Sequence, residues 1–385
     1  MGYYYPTEMT SPAPIPQPTR TGRQRFPVAH AVLEQAVRDR AFPGAAYGIL
    51  HNGEVVALES TGRFTYDATS PLVTPSTMFD LASVTKVMST TAIAMLLYDR
   101  KILSLDMRVG DILPRFVIGA APGSGKSYVT LRMLLAHSSG LPAYVRLFEQ
   151  NHSPDAMLRA ALHLPLDAPP NTRAEYSDIG FILLGKALEV LSRETLARLF
   201  DHEIAIPLGL QTARFWPPVD MRPQIPPTEN DTAIRHRIIQ GEVQDENCSA
   251  LGGAAGHAGL FANALDVLRF ADCILADGRT ASGKQLFQPE TVKLFATRQT
   301  EPAGTTRALG WDTPSTPSSS GKFFSPKSIG HLGYAGTSLW IDPERRLAVV
   351  LLTNRTWPDR ANDAIRTVRP AFHDAVAQDL KIVAI

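Results

Sequence analysis

A chain of 385 residues with 44% apolar residues has ample material for a core and accommodates one large domain or two. Its 38 basic and 37 acidic residues leave a net charge of +1, and the basic residues are scattered, so there is no electrostatic footprint for nucleic acid or an anionic membrane. No apolar run reaches the ~18 residues of a membrane span, and the two cysteines, Cys248 and Cys273, have neither zinc nor redox spacing.

In chain order, residues 1–26 are rich in Pro, Thr and Ser and are expected to be a disordered tail. They lack the basic-then-apolar pattern of a signal peptide, so a cytoplasmic location is expected, or a periplasmic one if a leader has been removed. Val28, Ala31, Val32, Ala36 and Val37 make a helical stripe. Residues 45–50 and 55–58 then read as two strands joined at Asn52-Gly53.

Residues 84–97 contain no Gly or Pro and are apolar on all sides, which predicts a buried helix. Asp80 is its expected N-cap, placing Ser83 in the first turn and Lys86 three residues on, ~5–6 Å away on the same face. A buried lysine loses its proton more readily and can take one from a neighbouring hydroxyl. The same S-x-x-K spacing at Ser319–Lys322 lies in a Thr/Pro/Ser/Gly stretch with nothing to bury the lysine.

Helices are predicted after Thr130, over 154–163, over 179–200 and over 264–276. The Pro-rich, polar residues 216–247 form a long excursion of the kind that shapes a site. Glu242, Asp245 and Glu246 within it read as solvated, and His257, between glycines, as a turn residue near the site. Gly119–Ser127 resembles a phosphate-binding loop, but its first glycine is one residue too far away and no buried strand precedes it. Strands over 336–341 and 347–353 and a helix over 360–376 close the chain. Strands at both ends around a helical middle predict an α+β fold with one antiparallel sheet built from both ends and an inserted, mainly helical lobe. The sheet lobe is expected over 27–78 and 250–385, and the helical lobe over 79–249.

Tyr176-Ser177-Asp178 stands at a predicted helix start, where a loop can hold a phenol rigidly enough to shuttle a proton. His331-Leu332-Gly333 leads into the penultimate strand, among glycines that allow a ligand to approach the backbone. With Ser83–Lys86, these motifs resemble the serine β-lactamase and penicillin-binding-protein superfamily in its class C-like branch. That branch carries S-x-x-K at a helix start, Y-x-N on the helical lobe and K-T-G or H-x-G on a strand. The resemblance covers about residues 30–380 and extends to Leu134–Pro142, Gly252–Phe261 and Leu352–Arg355.

It implies a cofactor-free and metal-free serine hydrolase working through an acyl-enzyme on a small ester or amide. Ser83 would be the nucleophile, with Lys86 and Tyr176 sharing its proton traffic. The backbone N–H groups of Ser83 and Tyr334 would form the oxyanion hole, and Asp178, His331 and Gly333 would bind substrate. Asp178 replaces an asparagine and His331 a lysine, which favours short-chain esters over carboxylate-bearing β-lactams. The alternatives are a D-amino-acid peptidase, a weak β-lactamase, or a non-catalytic binding module of the same fold. Oligomeric state is not legible.

Overall fold

In a computed structural model describing residues 22–383, five antiparallel strands form the central sheet. They are β1 (Gly44–His51), β2 (Glu54–Gly62), β3 (Ile329–Leu332), β4 (Ser338–Asp342) and β5 (Leu347–Thr353), in the spatial order β2-β1-β5-β4-β3. The two chain ends meet in the middle, where Ala45 pairs with Thr353 and His51 with Leu347. Asn52 and Gly53 turn the first hairpin with φ of 54° and 79°, the left-handed geometry that a two-residue hairpin turn demands. The expected hairpin and terminal sheet are therefore present. The short β3 was hidden by its glycine content.

Every residue of β5 is buried, because both faces of the sheet are covered. Leu347, Val349 and Leu351 join one apolar cluster, and Ala348, Val350 and Leu352 the other, as period-two alternation requires. The first face is covered by helices α1 (Pro27–Arg38) and α5 (Ile365–Asp379). The second carries α4 (Ala264–Leu275), whose Leu268 lies against Gly48 of β1. The helical region contains the buried helix α2 (Ala92–Asp99) and α3 (Asp178–Ser192).

Two expectations are corrected. Residues 1–21 of the expected tail lie outside the described residues, but Gly22–Arg25 form a helical turn and Phe26 is fully buried, so the ordered domain begins earlier. The helix predicted over 179–200 stops at Ser192, where Arg193 turns left-handed at φ 60°. Residues 126–128 form only a 3₁₀ turn, and the Lys126 ammonium donates to the Leu162 carbonyl at 2.7 Å, so the glycine-rich loop holds no phosphate cradle. No helix among the described residues is long and apolar enough to cross a membrane.

One contact ties α3 to the loop that follows the Pro-rich excursion. A Cβ on Gly185 would lie 2.8 Å from Gly256 Cα and 3.0 Å from Gly256 N. Gly185→Ala is therefore expected to destabilise the fold by about 1–3 kcal/mol, as overpacking does, although glycine-to-alanine changes inside helices ordinarily stabilise. Thermal melting checks this; a raised Tm would show that the contact tolerates a methyl group.

Candidate active site

The segment carrying Ser83 is not a regular helix. Phe79–Asp80 is a two-residue strand paired to Leu260–Ala262, Ala82–Val84 is a 3₁₀ turn, and Lys86–Thr91 is π-helical before α2 begins. Asp80 does not cap the helix as expected: its Oδ1 accepts the Ala82 amide at 2.8 Å and its Oδ2 the Gln244 amide at 2.8 Å. Burial holds this carboxyl up at about 6. Ala82 has φ 47°, a left-handed backbone that alanine adopts only under constraint, at a cost of ~1–3 kcal/mol. The strained residue sets the direction of the neighbouring Ser83, and Asp80 holds it.

Lys86 is fully buried. Its ammonium touches three oxygens: Ser83 Oγ at 3.0 Å, Asp178 Oδ1 at 2.7 Å and the His257 carbonyl at 3.1 Å. Burial pulls its pKa below the ordinary lysine value, and the Asp178 charge and hydrogen bond oppose that shift. Tyr176 Oη donates to Ser83 Oγ at 2.7 Å from the other side. Burial, then the Asp178 charge, pushes this phenol well above its usual value, so it remains protonated at neutral pH. A hydroxyl held between a pKa-lowered amine and a protonated phenol can lose its proton to one while the other supplies a proton to a leaving group.

Tyr176 is positioned from below. Ser177, not Asp178, caps α3: its Oγ accepts the Gly180 amide at 2.9 Å and donates to the Pro142 carbonyl at 2.6 Å. The Ser177 amide donates to His137 Nδ1, and the His137 ring lies between the Tyr176 and Phe181 rings at centroid distances of 4.8 and 5.0 Å. Asp178, expected to meet substrate, spends one carboxylate oxygen on Lys86. It lines the cavity as that lysine's counter-ion.

Opposite Tyr176, His331 is buried with its ring centroid 6.0 Å from the tyrosine ring. Its Nδ1 lies 2.9 Å from the Leu332 carbonyl, so that nitrogen carries the proton and Nε2 is unprotonated in the neutral ring. Burial first, then the Lys86 charge, holds its pKa well below the usual histidine value. Thr337 Oγ1 donates to the Leu81 carbonyl at 3.0 Å, fastening the β3–β4 loop to the segment that carries Ser83. Gly333 fits only without a side chain there, since a Cβ would lie 2.5 Å from Leu81 O. The Tyr334 N–H has no acceptor among the described residues.

Ser83, Tyr176, Asp178, His331, Gly333 and Tyr334 all line one cavity of about 1270 Å³, with Lys86 beneath its floor. Residues 229–234 and 244–246 of the Pro-rich excursion form a wall of it. There the reading of a solvated loop is corrected for two residues. Asp245 caps Cys248 and accepts from His257 Nε2 at 2.7 Å, and buried Glu246 pairs with Arg360 at 2.9 Å. His257 is more than a turn residue, because its carbonyl holds Lys86. Sequence reasoning also missed Arg307, whose guanidinium stands 5.6 Å from the Tyr176 ring and pairs with Asp312. It comes from an irregular loop with no periodicity to mark it. Among the described residues no acidic, His or Cys cluster is arranged to hold a metal ion.

The chain matches the Beta-lactamase family over residues 29–371. It belongs to that family. It is 31% identical over 355 residues to a protein of Escherichia coli O157:H7 named "Putative D-alanyl-D-alanine carboxypeptidase", covering 82% of this chain and 79% of that one. A protein of the same name from Salmonella paratyphi A is 30% identical over 364 residues, covering 85% and 82%. Among solved structures, EstCE1, described as a hydrolase with promiscuous acyltransferase activity, superposes with a TM-score of 0.71 at 22% identity, covering 91% of this chain and 99% of that one. A penicillin-binding protein homologue from Caulobacter crescentus gives 0.72 at 20%, covering 94% and 99%; a class C beta lactamase from Rhodobacter sphaeroides gives 0.69 at 22%, covering 92% and 99%. These likenesses show a β-lactamase/transpeptidase-like fold, and family membership makes the chain a serine hydrolase of the β-lactamase superfamily.

Because Lys86 and Tyr176 flank one oxygen, Lys86→Met or Tyr176→Phe is expected to lower kcat by about 10²–10⁴. The double variant should be little worse than either single one, as for groups acting as a unit. Steady-state kinetics on a chromogenic ester decide this, and losses that add on a log scale would mean the two residues work independently.

Proposed function

We propose that this chain is a carboxylesterase that forms an acyl-enzyme at Ser83. The observation that carries the reading is the neutral, buried His331 at the position where a fixed cation would hold a substrate carboxylate. Three arginines of the cavity wall are already engaged: Arg307 by Asp312, and Arg355 and Arg369 by backbone carbonyls. A neutral ester needs no such cation. The cavity, at about 1270 Å³, exceeds the ~300–1,000 Å³ usual for ligand pockets, so short-chain esters fit and bulkier alcohol or acyl portions have room.

In the acylation step Ser83 Oγ attacks the ester carbonyl while its proton passes to Lys86 Nζ. The N–H groups of Ser83 and Tyr334 receive the developing oxyanion. Tyr176, still protonated, delivers its phenolic proton to the departing alkoxide, and Lys86 is the source that restores it, so one proton moves in all from Ser83 to the alcohol. A water then attacks the acyl carbon, the same pair takes its proton and passes it to Ser83 Oγ as the Oγ–acyl bond breaks, and the carboxylic acid leaves.

A second reading, a D-amino-acid carboxypeptidase, is favoured by the Arg307 guanidinium beside Tyr176, which a terminal carboxylate could draw from Asp312. The names of the curated relatives support that reading too. A short-chain nitrophenyl ester, a chromogenic cephalosporin and a D-Ala-D-Ala peptide assayed side by side separate the two. The ester is expected to have the highest kcat/KM, with all turnover lost in Ser83→Ala; faster release of D-alanine would favour the carboxypeptidase.

Since Lys86 acts as a base only when deprotonated, kcat/KM should fall as pH drops through its lowered pKa. Asp178 holds a proton on Lys86 by charge and hydrogen bond. Its removal lowers the lysine pKa further, so in Asp178→Asn the acidic limb of the pH–rate profile is expected at lower pH. A limb that stays in place or moves up would assign it to another group.

A further inference from the structure

The loop between β3 and β4 is gripped by a buried arginine from the far side of the sheet. Arg369, on α5, is 7% exposed. Its Nη2 donates to the Gly333 carbonyl at 2.6 Å and the Thr337 carbonyl at 2.8 Å, and its Nε to the Gly336 carbonyl at 3.3 Å. No carboxylate pairs with it among the described residues. A buried cation satisfied only by carbonyls carries a large desolvation cost, yet burial and the nearby Arg355 bring its pKa only to about 9, leaving it positive at neutral pH. Three apolar contacts or a neutral donor would hold a loop at lower cost.

The placement of Nη2 gives the charge a use. Gly333 C=O and Tyr334 N–H belong to the same amide, and the N–H end is the one the proposed mechanism offers to the oxyanion. We propose that Arg369 is a positioning and polarising residue of the oxyanion hole, acting through the Gly333–Tyr334 peptide; this rests on the acyl-enzyme reading above. A cation on the carbonyl end strengthens donation at the other end, as chained hydrogen bonds do. It also supplies positive charge behind the oxyanion, from the wall of the same cavity. Arg355, whose Nε donates to the Tyr334 carbonyl at 2.8 Å, holds the next peptide in the same way. The benefit grows with charge on the substrate oxygen, so it belongs to the transition state and to kcat.

The test compares the full-length chain with Arg369→Gln on a short-chain nitrophenyl ester and on inhibition by a small alkylboronic acid, whose serine adduct is tetrahedral and anionic. Expected for Arg369→Gln is a kcat lowered by about 10–100-fold, short of the ~10²–10³ for deleting a donor outright. KM should stay within about threefold, and boronate inhibition should weaken by a factor close to the loss in kcat. An unchanged kcat, a loss confined to KM, or a fall in kcat with boronate affinity unmoved would each overturn the proposal. If Arg369→Gln shows no cooperative melting, Arg369→Lys takes its place: its single ammonium cannot span three carbonyls, so a kcat loss with KM held is expected and wild-type kcat overturns the idea. A wild-type chain that hydrolyses the ester but is not inhibited by the boronate would sink the acyl-enzyme reading itself, and Arg369 with it.

Discussion

The site depends on one buried ammonium. Lys86 is enclosed completely, and its three contacts bind the chain's separate regions together: Ser83 in its own segment, Asp178 at the start of α3, and the His257 carbonyl after the Pro-rich excursion. Removing a charge from water costs several kcal/mol unless it is paired and hydrogen-bonded. The surrounding elements meet that demand with one carboxylate and one carbonyl, leaving the third contact for the serine. Desolvation and pairing pull the lysine's proton affinity in opposite directions, and desolvation is the stronger. A lysine set in this balance exchanges its proton with a neighbour more readily than one in water.

The supporting framework is layered outward from that point. His257 is fixed by Asp245, Asp245 caps the helix at Cys248, and Asp80 reaches from the Ser83 segment to the Gln244 amide. On the opposite wall, Thr337 fastens the β3–β4 loop to Leu81 while Arg369 holds three of its carbonyls. Ser83 therefore sits between two hydrogen-bonded walls, and the strained Ala82 is tolerated because Asp80 and the paired Phe79–Asp80 strand determine its backbone. Strain of this kind is sustained only where the surroundings over-determine it.

Much of this was legible in the sequence because it is local. Ser83 and Lys86 lie three residues apart in an apolar run, Tyr176 precedes a capped helix, and Asn52-Gly53 fixes a hairpin whose strand meets the C-terminal one. What depended on distant partners was not. Asp178 reads as a substrate contact until the fold places Lys86 2.7 Å away. Asp245 and Glu246 read as solvated because only tertiary packing supplies His257 and Arg360. Arg307 and Arg369 carry no local signal, since an arginine in an irregular loop or on a terminal helix is ordinarily exposed. The π-helical turn at Lys86–Thr91 also escaped, because apolar periodicity cannot distinguish it from an α-helix.

On the proposed mechanism, burial of Lys86 makes Ser83 a nucleophile. The most direct measurement of this is the rate at which a fluorophosphonate labels the intact chain as a function of pH, with the modified peptide located by mass. The expected result is an adduct on Ser83 and a rate that reaches its plateau below the ordinary lysine value of about 10.4. An adduct on another serine, such as Ser319, or a rate still rising through that value, would contradict it.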